Sequence, residues 1–194
     1  LIKNKSFNNL LINNVNFIHQ CAIKGKKNSV ILNYDESSNE FFKWYQQLVA
    51  ESLGKKSKGI LPIISTMPKD NHSLMQYFLD GPKKNFFTFF SVNEKNSKII
   101  KKKNLPTTHK KLINLDINKI IKSQKEATES IFKKEKIPFR TFNIKNRSEE
   151  VLGELFCFFI LETILLGRFL NVNPFDQPSV ELIKKETKKI LLKN

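Results

Sequence analysis

Three side chains in this sequence are of types that move protons, and each stands where a helix end acts on it. Glu51 falls in the last turn of an amphipathic stretch that stops at Gly54. The carbonyl end of a helix dipole disfavours a carboxylate there, and a carboxylate so held is suited to act as a general base. His72 opens a short helix-forming stretch, where the positive end of the dipole favours a neutral ring able to exchange protons. Lys184 lies in the early turns of the last helix, a cation set against that same positive end. Gln47 precedes Glu51 by one turn and so faces the same side, and Gln177 lies on the loop before the last helix. Taken singly, each has a plainer reading: a solvated glutamate, a loop histidine, one lysine among many, two surface amides.

The elements that must position these residues follow from periodicity and punctuation. Phe41, Tyr45, Leu48 and Val49 recur at helical spacing, which turns one face of the Glu51 helix to a core. Ser37 and Glu40 have the spacing of a capping box that opens this helix. Upstream, residues 6–24 read as a helix with Phe7, Leu10, Leu11, Val15, Ile18 and Ala22 on one stripe and Gly25 as its stop. Val30 to Leu32 predicts a buried strand. Ile60 to Ile64 predicts another, weakened by Pro62, which cannot donate to a central ladder. A loop over 66–71 leads to the short helix from His72 to Leu79, halted at Gly81-Pro82.

Residues 85–92 form the clearest strand, aromatic and bounded by polar positions. The lysine-rich stretch 93–114, with Pro106, reads as an exposed loop. Asp116 caps a helix that runs to about Lys136, and Phe139 to Ile144 is the next strand. Ser148, followed by Glu149 and Glu150, starts a long helix that is apolar nearly all round and reads as buried. The last helix begins after Pro178, with Ser179 as its expected N-cap. Strands alternating with helices predict an α/β fold with a mostly parallel sheet flanked by helices on both faces. Ligands in such sheets sit beyond the carboxyl ends of the strands. No internal repeat or linker divides the sequence, so residues 1–194 read as one domain.

Composition bounds the partners. The net charge is +16, which invites a nucleic-acid reading. Only Arg140, Arg147 and Arg168 are arginines, however, and the bidentate fork that reads phosphates and guanine edges is therefore scarce. The lysines are spread over every segment, as on a solvated face, and no nucleic acid is expected. Cys21 and Cys157 give neither a disulfide framework nor a metal spacing, which fits a reducing cytoplasm. The apolar run Leu155 to Leu166 is interrupted by Glu162 and falls short of the roughly 20 residues a span requires, so no membrane is expected. Phosphate-loop, dinucleotide and metal-cluster patterns are all missing, and the expected cofactor is none.

Three strings resemble the glucose-6-phosphate isomerase family: Gln46 to Lys55 with its Glu-Ser-Leu-Gly-Lys ending, Asn173 to Glu181 followed by Lys184, and Asp70 to Gln76. They occur in the family's order, and the second is the longest and least degenerate. The third departs from the family's pattern at Asn71 and at Met67, Pro68 and Lys69. The resemblance implies a sugar-isomerase (SIS) type domain with five parallel strands. It implies Glu51 as the base that moves a proton between C1 and C2 of a sugar phosphate, and His72 and Lys184 as the pair that opens the sugar ring. Gln47 and Gln177 would contact substrate. It further implies a homodimer whose histidine is donated across the subunit interface. On the same grounds the chain is expected to be the carboxy-terminal part of a longer enzyme, without the phosphate-binding half and inactive alone. The rival reading is a lone SIS module that binds phosphosugars without turnover, a role that needs no base.

Overall fold

Apolar runs and caps settle most of the architecture seen in the computed structural model, which describes residues 3–93, 98–101 and 107–192. In chain order the elements are α1 (Lys5–Ile23), β1 (Asn28–Asn33), α2 (Asn39–Leu53), β2 (Leu61–Thr66) and α3 (Met75–Asp80). They continue with β3 (Asn85–Val92), α4 (Ile117–Lys134), β4 (Phe139–Ile144), α5 (Glu149–Leu170) and α6 (Pro178–Leu191). The strands form one parallel sheet in the order β2-β1-β3-β4. Four strands stand where the resemblance implied five. The described residues offer only four apolar runs of strand character, and each is used.

Alternation along β1 and β3 builds two cores. Ile31, Phe86 and Phe90 face α1, α2 and α5, where Val15, Ile18, Phe42, Tyr45, Leu53, Phe159 and Leu166 close over them. Val30, Leu32, Phe87 and Phe89 face the other way, against Phe78 of α3 and Phe132 of α4. Rings meet edge to face across both layers, Phe42 on Phe90 at 4.8 Å and Phe87 on Phe132 at 4.8 Å. That arrangement is the favoured one for aromatic quadrupoles. Pro62 is accommodated because β2 is an edge strand. The Leu61 amide donates to the Lys27 carbonyl, so the alternation of a strand turns the Pro62 nitrogen away from β1.

Several local expectations hold. Asp116 accepts from the Lys119 amide at 3.1 Å, Ser148 accepts from the Val151 amide at 3.3 Å, and Gly25 takes φ +76° just past α1. Others do not. The Ser37–Glu40 capping box is not formed. A 3-10 turn over Glu36–Ser38 precedes α2, the Ser38 hydroxyl is spent on the Asp35 carboxylate, and Glu40 instead pairs with Lys43 at 2.6 Å. Ser179 does not cap the last helix, since α6 opens one residue earlier with Pro178 in its first turn. Within the expected loop 93–114, Thr107–Leu112 forms a 3-10 segment and Ile99 bridges Asp116, while Pro106 lies outside the described residues.

The helix after Ser148 is buried on one side only. Phe158, Phe159 and Glu162 are enclosed, whereas Leu152, Ile160 and Phe169 face out. Among the described residues no helix is long and apolar enough to cross a membrane.

Candidate active site

The βαβ connection fixes where Glu51 can be. Since β1 and β2 are parallel, α2 must run back along the sheet, and its carboxyl end lies beside the amino ends of the strands. There the helix stops, with the Gly54 amide bonded to the Ala50 carbonyl at 3.0 Å. Glu51, half-buried in the last turn, accepts at Oε1 from Gln47 Nε2 at 3.1 Å. The site therefore sits at the edge opposite the one expected for a parallel sheet. The rule for crevices at strand carboxyl ends does not hold for Glu51, because a side chain carried at the carboxyl terminus of a βαβ helix falls at the other edge.

The segment between α5 and α6 meets this helix end. Asn171 closes α5 in the left-handed conformation at φ 53°, and the buried Val172 donates its amide to the Gly167 carbonyl at 3.0 Å. Pro174 packs on the bare face of Gly167, where even a methyl group would come within 3.3 Å of its ring. Lys55 reaches the Asn173 carbonyl and pairs with Asp176 at 2.8 Å. The hydrogen bond from the Lys55 ammonium holds the Asp176 carboxyl below the usual carboxylate range. Lys58 donates to the Leu170 carbonyl at 2.9 Å. Gln177 then donates from Nε2 to Glu51 Oε2 at 2.7 Å.

Both oxygens of Glu51 thus receive amide protons, one from its own helix and one from the distant loop. Three of the five expected site residues, Glu51, Gln47 and Gln177, are brought together. Lys55 and Asp176, which tie the two segments, were given no role by sequence reasoning. Their opposite charges inside two separate strings were the available signal.

His72 is not brought to this cluster. It follows a 3-10 turn over Lys69–Asn71 and precedes α3, which begins only at Met75, so it does not open a helix. Asp70 competes for the local backbone by accepting from the Thr66 amide at 2.8 Å, Ser65 Oγ at 3.0 Å and Ser73 Oγ at 3.2 Å. The exposed ring stands past the carboxyl end of β2, and Glu51 stands by its amino end. Six residues of strand separate the two by roughly 20 Å.

Lys184 pairs with Glu181 at 2.7 Å on α6, a helix that buries no residue, and no described contact joins it to Glu51. It does lie seven positions after Gln177, two turns along the same side of that helix. A cavity of about 390 Å3 opens at the carboxyl edge among Phe41, Trp44, Phe90, Arg147 and Phe156, and none of the five site residues lines it. Among the described residues no three of His, Cys, Asp and Glu gather as a metal would require.

The parallel α/β sheet flanked by helices is of the sugar-isomerase (SIS) type, and a hydrogen-bonded carboxylate stands at its amino edge. No family model matches the sequence. Curated relatives do. The glucose-6-phosphate isomerase of Methanocaldococcus jannaschii is 35% identical over 162 residues, covering 84% of this chain and 40% of that protein. That of Campylobacter jejuni is 30% identical over 182 residues, covering 89% and 44%. Among solved structures, a hypothetical protein from Thermus thermophilus superposes with a TM-score of 0.85 at 25% identity, covering 94% of this chain and 45% of that one. A glucose-6-phosphate isomerase from Chlamydia trachomatis has the same fold, with a TM-score of 0.68 at 16% identity over 86% and 35%.

Over most of its residues the chain is similar to glucose-6-phosphate isomerases, and it spans less than half the length of these relatives.

Proposed function

We propose that this chain supplies the proton-transfer base of an enzyme that interconverts glucose 6-phosphate and fructose 6-phosphate. The observation that carries the reading is the Glu51 carboxylate, held at both oxygens by Gln47 and Gln177. Two amide donors hold the carboxylate in one orientation, as a positioned base requires. Glu51 takes the proton from C2 of the open-chain aldose while O1 takes a proton from water, giving a cis-enediol. The same carboxylic acid returns its proton to C1 as the C2 hydroxyl gives its proton to water and becomes a carbonyl, so the proton gained at O1 is matched by the one lost at O2. Oxidation at one carbon balances reduction at its neighbour, so no external redox partner enters. A module that only binds phosphosugars needs no such base.

Ring opening falls to His72 and Lys184 in this proposal. Because β2 separates His72 from Glu51 within one chain, the histidine of a second copy completes the site, which makes the enzyme a homodimer. Gln47 and Gln177 contact the substrate as well as the base. The phosphate cradle belongs to the rest of the isomerase, these residues form its carboxy-terminal SIS-type part, and the setting is the cytoplasm.

A coupled assay for fructose 6-phosphate tests the reading in a full-length isomerase carrying this segment. Turnover is expected there and not from the 194 residues alone. Glucose 6-phosphate binding without turnover by the full-length protein would leave the binding module instead.

A further inference from the structure

We infer that Lys55 is a positioning residue, a clasp that reaches across to the loop between α5 and α6 and thereby sets Gln177 on Glu51. The inference rests on the isomerase reading only for its catalytic consequence. Its structural content stands on the contacts themselves.

Gln177 sits at the cap position of α6, and α6 buries none of its residues. Packing of that helix therefore does not place Gln177. A single amide–carboxylate bond at the surface competes with water and cannot hold a loop by itself. The loop must be held by contacts nearer its start. Val172 and Pro174 seat its first half against α5, four and two residues short of Asp176. Lys55 spans from that seated half to the half that carries Gln177, bonding the Asn173 carbonyl in the first and pairing at 2.8 Å with Asp176, the immediate neighbour of Gln177, in the second.

The side chain of Lys55 is 10% exposed, far less than that of a solvated surface lysine. A cation so enclosed must be compensated, and the loop provides both compensating oxygens. Glu51 and Lys55 are four residues apart across the end of α2, so one helix terminus carries both the base and the anchor for the base's partner. Lys58 provides a contrast. It also bonds this connection, but at Leu170, still inside α5 and seven residues from Gln177.

The test uses nuclear magnetic resonance of the Gln177 side-chain amide in the chain itself, together with kinetics in a full-length isomerase carrying the segment. In Lys55→Met the Gln177 amide should move to the position of a free glutamine and lose protection from exchange about tenfold or more. Lys55→Arg should recover most of it, and Lys58→Met should leave it in place. In the full-length enzyme, Lys55→Met should lower kcat about tenfold while changing KM less, with partial recovery in Lys55→Arg. Asp176→Asn, at a half-exposed position, should reproduce the Gln177 signature even if Lys55→Met does not fold. An unchanged Gln177 amide in Lys55→Met, or in Asp176→Asn where Lys55→Met is unfolded, would overturn the inference. A full-length protein with no isomerase turnover but with these Gln177 shifts would overturn the enzymatic reading and keep the clasp.

Discussion

Gln177 donates a hydrogen bond to Glu51 across 126 positions of sequence, at 2.7 Å. Two strings that carry the family resemblance from opposite parts of the chain therefore meet at one carboxylate. Nothing local in either string requires it. The meeting is produced by α2 running back along the sheet and by the turn that closes α5.

A second long-range pair is structural and should behave differently. Arg140 of β4 is buried with Glu162 of α5, their second contact being 3.1 Å, and it also bonds Thr88 at 3.0 Å and Asn14 at 3.1 Å. Rings of Phe142 and Phe159 lie 5.2 and 5.9 Å from the guanidinium. Removing one partner leaves an uncompensated buried charge. Arg140→Met or Glu162→Leu alone should each cost about 3–5 kcal/mol in urea unfolding. The double variant should cost less than the sum of the two. Strict additivity would show that the pair is not coupled.

Much of this fold was legible because the information is local. Asp116 and Ser148 stand out as caps, and the phenylalanine-rich β3 stands out as an aromatic run bounded by polar residues. The failures are also physical. Ser37 and Glu40 have capping-box spacing, but Asp35 takes the neighbouring Ser38 hydroxyl, and the chain forms a 3-10 turn first. His72 looked like a helix start until Asp70 gathered three donors and pushed α3 back to Met75. Glu162 looked like an interruption in an apolar run because its partner is in another element. The cluster at Glu51 was half legible: spacing put Gln47 beside it, resemblance nominated Gln177, and neither could show that Lys55 joins the two segments.

Asp176 gives the clasp a pH dependence of definite sign. Its folded-state pKa is lowered by the Lys55 hydrogen bond, so the contribution is present above the ordinary aspartate range and is lost as pH falls through the lowered value. Limited proteolysis of the segment 173–177 should show wild type better protected than Asp176→Asn near neutral pH. The difference should close as the solution is acidified. A gap between the two that persists unchanged at low pH would contradict the assigned partner.

The two thiols should separate by accessibility. Cys21 is buried in α1, and burial raises its pKa despite nearby lysines, whereas Cys157 is half-buried on α5. Alkylation of the native chain at mildly alkaline pH should label Cys157 first, and Cys157→Ser should remove the fast phase. Rapid labelling of Cys21 in the folded protein would contradict the packing of α1 on the sheet.

The most direct measurement is Glu51→Gln in a full-length isomerase carrying this segment, which keeps shape and removes the base. Turnover of glucose 6-phosphate should fall by about 10²–10⁴ while the fold and substrate binding persist. Turnover near that of the parent would show that Glu51 does not move the proton.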